Sequence, residues 1–229
     1  MNVTTSNLLR LAGLSAMVAG ISFVAVGLIH PPNTFASVSS GAWATAHIFA
    51  IAMSIFGLLG ITGIYARQVE ESGWLGLAGF LLFSLWLMLA MGFTFAEAFI
   101  LPLLAVDSPT FVQGFVGIFS GTSGDTNVGA LATLWSLTGV LYLLGGLLFG
   151  VATLRAGILS RWAAGTFGFG AVSSLAFALL PRELEMFAAI PVGVGLAWLG
   201  YALWSERREP AAAPLPSLAR AQLRQAAAE

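Results

Sequence analysis

The chain has 229 residues, of which 58% are hydrophobic and 8% charged, with a formal net charge of -1. Mean hydropathy is +0.92, whereas soluble domains carry roughly a quarter charged residues; this excludes an ordinary water-soluble fold, and the lack of a cationic cluster excludes nucleic acid as a partner. Cysteine and lysine do not occur, which excludes disulfides, iron–sulfur clusters, thiolate catalysis, c-type haem attachment and a lysine Schiff base.

A helix needs about 20 residues to cross roughly 30 Å of hydrocarbon, and in lipid the backbone must satisfy its own donors. Six segments meet that requirement, at about 9–30, 43–66, 74–101, 130–154, 160–180 and 184–204. The expected fold class is therefore all-α: a polytopic membrane protein with six transmembrane helices in one bundle. The run after Arg10 is longer than the roughly 7–15 apolar residues of a signal peptide, so it reads as a retained first span.

The first span ends at His30, before Pro31 and Pro32, and a Ser/Gly/Pro-rich connection covers 31–42. Trp43 marks the entrance of the second span and His47 follows one turn inside it. The turn at 67–73 leads into a third span that carries Glu97 five positions before Pro102. Within 102–129, Asp107 and Ser108 precede Pro109, the order of a cap and a first helical position. Phe111, Phe115 and Phe119 recur every fourth residue, which predicts an outer interfacial helix over about 109–120. Its role is either to seal the top of the bundle or to act as a lid over a pocket. Pro191 is expected to weaken the sixth span, and the Ala/Pro/Arg-rich tail at 205–229 reads as disordered.

Arginine sets the expected topology. Arg10, Arg67, Arg155, Arg161, Arg207, Arg208, Arg220 and Arg224 share one side of a six-span chain, and Arg182 alone falls on the other. By the positive-inside rule both termini are cytoplasmic. Arginine-only, alanine-rich usage points to a GC-rich bacterial source and hence to a bacterial plasma membrane. The segments GLLGITGIYAR (57–67) and GLLFGVATLR (146–155) close two even spans alike, so three helical-hairpin repeats are an open reading beside chance similarity. Gly57, Gly60, Gly63, Gly146 and Gly150 read as helix–helix contacts, because small residues let helices approach closely in lipid.

The polar residues gather toward the outer half: His30, His47, Glu97, Asp125, Asn127, Arg182, Glu183 and Glu185. Ionisable groups inside a span are functional suspects, although a residue within a turn of the interface reaches water. His30, Trp43, His47 and Glu97 form the candidate site, and three uses of it follow. The first is a pocket binding a lipid or small apolar ligand, oriented by His47 and Glu97, in a protein that acts alone, as a homo-oligomer or beside a membrane-protein partner. The second is a single b-type haem held by His30 and His47. The third is a zinc on His30, His47 and Glu97 with an open water position, serving a hydrolase. No GxSxG and no phosphate-binding loop occur, and the inner half lacks acidic stepping stones for a proton path.

Overall fold

The computed structural model describes residues 4–124, 126–177, 184 and 186–206. Its elements are α1 (Thr5–Ile29), α2 (Gly41–Arg67), α3 (Val69–Phe95), a π-helical turn (Ala96–Ile100), α4 (Leu101–Asp107), α5 (Pro109–Gly117), α6 (Leu131–Ala156), α7 (Arg161–Phe177) and α8 (Ala189–Ser205). Among the described residues there is no strand. Four helical runs are long and apolar enough to cross a membrane: Thr5–Ile29, Gly41–Arg67, Val69–Asp107 and Leu131–Ala156. α7 and α8 have 17 residues each. Large apolar side chains such as Leu103, Val106, Trp162 and Phe169 stand exposed along the helices, as a lipid-facing surface requires.

Local chemistry accounts for the helix ends. Thr4 caps α1 by accepting from the Asn7 N–H at 3.2 Å, and Ser40 caps α2 by accepting from the Trp43 N–H at the same distance. Gly157, at φ 67°, terminates α6 in the left-handed region, with its N–H on Thr153 O. Gly73, at φ 55°, breaks the helical turn after Gln68 from the straight run that begins at Trp74, where the third span was expected to start.

The long helices pack as a closed ring in chain order. α1 lies against α2, α2 against α3, α3 against α6, α6 against α7 and α7 against α8, and α8 closes on α1. Ile61, Phe83, Phe149, Phe167, Leu196 and Leu199 fill the middle. The closure is made by glycine: a methyl on Gly200 would stand 2.6 Å from Gly13 O, and one on Gly193 2.6 Å from Gly20 O. The expected glycine contacts are present too, since a methyl on Gly60 would meet Ala16 Cα at 2.6 Å and one on Gly150 would meet Gly168 Cα at 2.6 Å. Backbones at this separation exchange dispersion contacts that lipid tails cannot match.

At the end of the bundle opposite His30, polar groups tie helix ends together. The Arg67 guanidinium pairs with the Glu206 carboxylate, with Nε to Oε2 at 2.9 Å, and so joins α2 to α8. Gln68 Nε2 donates to Thr153 Oγ1 at 2.7 Å inside the bundle, and Arg10 stacks over the Trp204 ring at 5.7 Å.

Three expectations need correction. The helix of the third segment does not stop near 101; it runs on through Pro102 to Asp107. Pro191 does not interrupt the middle of a helix; it lies in the first turn of α8, where an N–H has no partner four residues back and its loss costs little. Ser108 precedes α5 as expected, but its side chain makes no capping hydrogen bond. The tail beyond 206, Asp125, Arg182, Glu183 and Glu185 lie outside the described residues.

Candidate functional site

The π turn in the third span organises the site. In an α-helix the Leu101 N–H would donate to Glu97 O; here it donates to Ala96 O instead. The next donor in the π register would be position 102, a proline with no N–H. The Glu97 carbonyl is thereby released from the helix, and the Trp43 indole Nε1 donates to it at 2.8 Å. Trp43 is fully buried. An extra residue in one turn and a proline after it thus turn the Glu97 side chain inward and give its backbone a partner on α2.

His47 lies one turn below Trp43 on the same face of α2. Its Nδ1 is 2.7 Å from Trp43 O, and the two rings are 4.3 Å apart between centroids. A carbonyl only accepts, so Nδ1 carries the hydrogen and Nε2 presents its lone pair in the neutral ring. That Nε2 is 3.3 Å from Glu97 Oε2, within ion-pair range, yet it is out of line for a hydrogen bond and has no hydrogen-bond partner. His47 is 1% exposed and Glu97 5%.

His30 comes to the pair from the end of α1. The residue before a proline is held out of helical geometry, and His30 has φ -66° and ψ 120°. Its Nδ1 is 2.7 Å from Pro31 O, which fixes the same tautomer as in His47. The His30 ring meets His47 edge-on at 4.9 Å and Trp43 at 5.7 Å, and it is half-buried. All four candidate residues are therefore in one cluster. Asn127 is elsewhere, accepting from the Gly129 N–H in a turn at 3.0 Å.

A cavity of about 230 Å³ opens at the cluster, lined by His30, His47 and Glu97 together with Phe23, Met53, Trp86 and other residues of α1, α2, α3 and α8. Ala50 sits about one turn further along α2 from His47, and Thr94 sits about one turn before Glu97. Helical spacing from the two ionisable residues is enough to pick out these two, and Met53 follows Ala50 by another three positions. Phe23 and Trp86 carry no such signal. None of the residues of α5 lines the cavity. Its Phe111 and Phe115, with Phe119 of the 3-10 turn that follows (Ile118–Ser120), instead join Phe93 and Trp135 in an aromatic layer, with Phe119 to Trp135 at 4.6 Å, and this layer packs over Trp43. α5 seals the Trp43 side of the bundle and is not a lid on the pocket.

The geometry bears on the two cofactor readings. Axial imidazoles face each other across a porphyrin, whereas these two rings are in edge contact at 4.9 Å beside a cavity of about 230 Å³. Residues in this arrangement do not admit a haem. For zinc, no three His, Asp or Glu side chains among the described residues are grouped so as to hold a metal ion. The donor chemistry is suitable, since each imidazole donates Nδ1–H to a carbonyl and presents Nε2 as zinc ligands do, but the set is incomplete. Compared with known proteins, the chain matches no family model, no curated protein and no solved structure.

Proposed function

We propose that this chain is a six-span plasma-membrane protein with cytoplasmic termini, whose outer pocket binds a small amphiphile without transforming it. The carrying observation is the cavity itself: a buried, hydrogen-bond-deficient imidazole nitrogen and a buried carboxyl at one end of a space otherwise walled by Phe23, Met53 and Trp86. Ligand sites are mostly apolar concavities with few polar groups that set orientation. At about 230 Å³ the space is below the roughly 300–1,000 Å³ of drug-sized sites, so a whole diacyl lipid does not fit and a short-chain molecule does. The closed ring of α1, α2, α3, α6, α7 and α8 supports six spans, and the one-sided arginines support the orientation.

Binding is tested on the purified chain in nanodiscs by thermal unfolding with short alkyl compounds of increasing length and differing polar ends. Stabilisation should rise with chain length and then stop at the length that fills the cavity. Ala50→Phe, which places a ring in the cavity, should abolish it. Stabilisation without a length limit, or unchanged in Ala50→Phe, would show partition into lipid instead of binding. The topology is tested in this cysteine-free chain by single cysteines: Ala36→Cys and Ser123→Cys should label from outside, and Glu70→Cys should not.

A further inference from the structure

The polar end of the cavity is one-sided in its chemistry. His47 Nδ1–H is committed to Trp43 O and His30 Nδ1–H to Pro31 O, so each neutral ring turns a lone pair, at Nε2, away from the backbone. Glu97, as a carboxylate, offers only lone pairs. Thr94 has the one hydroxyl among the lining side chains, and its hydrogen goes to Ala90 O at 2.9 Å. With Glu97 ionised, its end of the site therefore presents acceptors, and the remaining side-chain donor in the lining is the Trp86 indole N–H. His47 Nε2 and Glu97 Oε2 face one another at 3.3 Å without a hydrogen bond; with His47 neutral and Glu97 ionised these are two facing acceptors, which repel unless a proton or a donor group stands against both.

We propose that the ligand of this pocket carries a primary ammonium head that donates to His47 Nε2 and the Glu97 carboxylate together. The proposal rests on the pocket-binding reading above and names the chemical class that reading leaves open. An ammonium has three donors, enough for both acceptors, and its charge opposes that of the carboxylate inside a poorly solvated space. A hydroxyl has one hydrogen and satisfies only one of the pair. A carboxylate head brings no donor and a like charge. Trp86 in the wall adds an aromatic surface that attracts a cation, and Phe23 and Met53 receive the alkyl chain.

The test compares n-butylamine, n-butanol and butyrate, equal in chain length, by thermal unfolding of the full chain in nanodiscs at neutral pH. The expected result is an apparent affinity for butylamine about tenfold or more above that for butanol, with butyrate weakest, the difference a charge-assisted contact makes. Glu97→Gln and His47→Gln should each bring butylamine down to the level of butanol, while Ala50→Phe should remove binding of all three. Equal binding of the three compounds by the wild-type chain overturns the ammonium proposal and leaves the pocket reading standing. So does an amine preference that survives both polar substitutions. Binding of none overturns the pocket reading itself. If a polar variant fails to fold, the wild-type ranking and Ala50→Phe still decide.

Discussion

The Trp43 indole donates to the backbone carbonyl of Glu97 at 2.8 Å, across 54 positions of chain. The bond exists because Leu101 has shifted its donation to Ala96 and position 102 is proline, so nothing in the helix serves that carbonyl. Trp43→Phe keeps the ring and deletes the donor. The expected cost is about 1–3 kcal/mol for an unsatisfied buried carbonyl, read as a lower midpoint in denaturant titration of the reconstituted protein. Restoring an N–H by Pro102→Ala should reduce that cost by about 1 kcal/mol in a double-mutant cycle. Additive effects of the two changes would show that proline is not what frees the carbonyl.

The α1–α8 closure predicts a contrast between glycines. Gly200→Ala would bring a methyl to 2.6 Å from Gly13 O, a backbone atom that cannot turn aside, and should cost about 1–3 kcal/mol as overpacking. Gly92→Ala has nothing within 4 Å and should be neutral or stabilising by up to about 1 kcal/mol through helix propensity. Parallel thermal scans of the two variants check the pair. Similar losses in both would mean that α8 does not seat on α1 as described.

The Arg67–Glu206 pair joins two helix ends with side chains 30% and 23% exposed. Water and salt screen a pair of this exposure, so Glu206→Gln should cost no more than about 1 kcal/mol. The cost should shrink as ionic strength rises. A loss that stays constant from low to high salt would assign the effect to packing.

Cofactor content separates the site readings directly. Purified protein supplemented with haem should show no Soret band, because the edge contact of His30 and His47 leaves no gap for a porphyrin. Zinc by elemental analysis should stay well below one per chain and should not change in Glu97→Gln. A stoichiometric metal lost in that variant would restore the His30–His47–Glu97 centre and displace the ammonium site.

Much of the candidate site was legible before the fold. His30 and His47 stand out as the two histidines of the chain, and Glu97 as an acid inside an apolar run. Such residues are conspicuous because burying an ionisable group is costly, so their presence in a span asks for a reason. Trp43 could be flagged as a helix-entrance tryptophan, but not as the donor to Glu97. That role depends on a π turn, a one-residue shift in hydrogen-bond register that apolar sequence does not announce. Phe23 and Trp86 were equally silent, since an aromatic residue in a span reads the same whether it faces lipid, a neighbouring helix or a cavity.

Composition and spacing by themselves determined that the chain is helical and apolar enough for a membrane. The reason is elementary: the backbone must pair with itself where water is absent, and length in residues measures thickness. They also placed a helix after Ser108, and they marked Gly57, Gly60 and Gly150 as points of close approach. Only the tertiary structure decided which helices those glycines meet, that Gly13 and Gly20 of α1 lie on Gly200 and Gly193 of α8, and that the third helix passes through Pro102. It decided too that α5 covers Trp43 and does not line the pocket. In lipid every face of a helix is apolar, so the pattern that tells inside from outside in a soluble protein is missing, and partner choice rests on backbone-to-backbone fit that becomes visible only once the helices are packed.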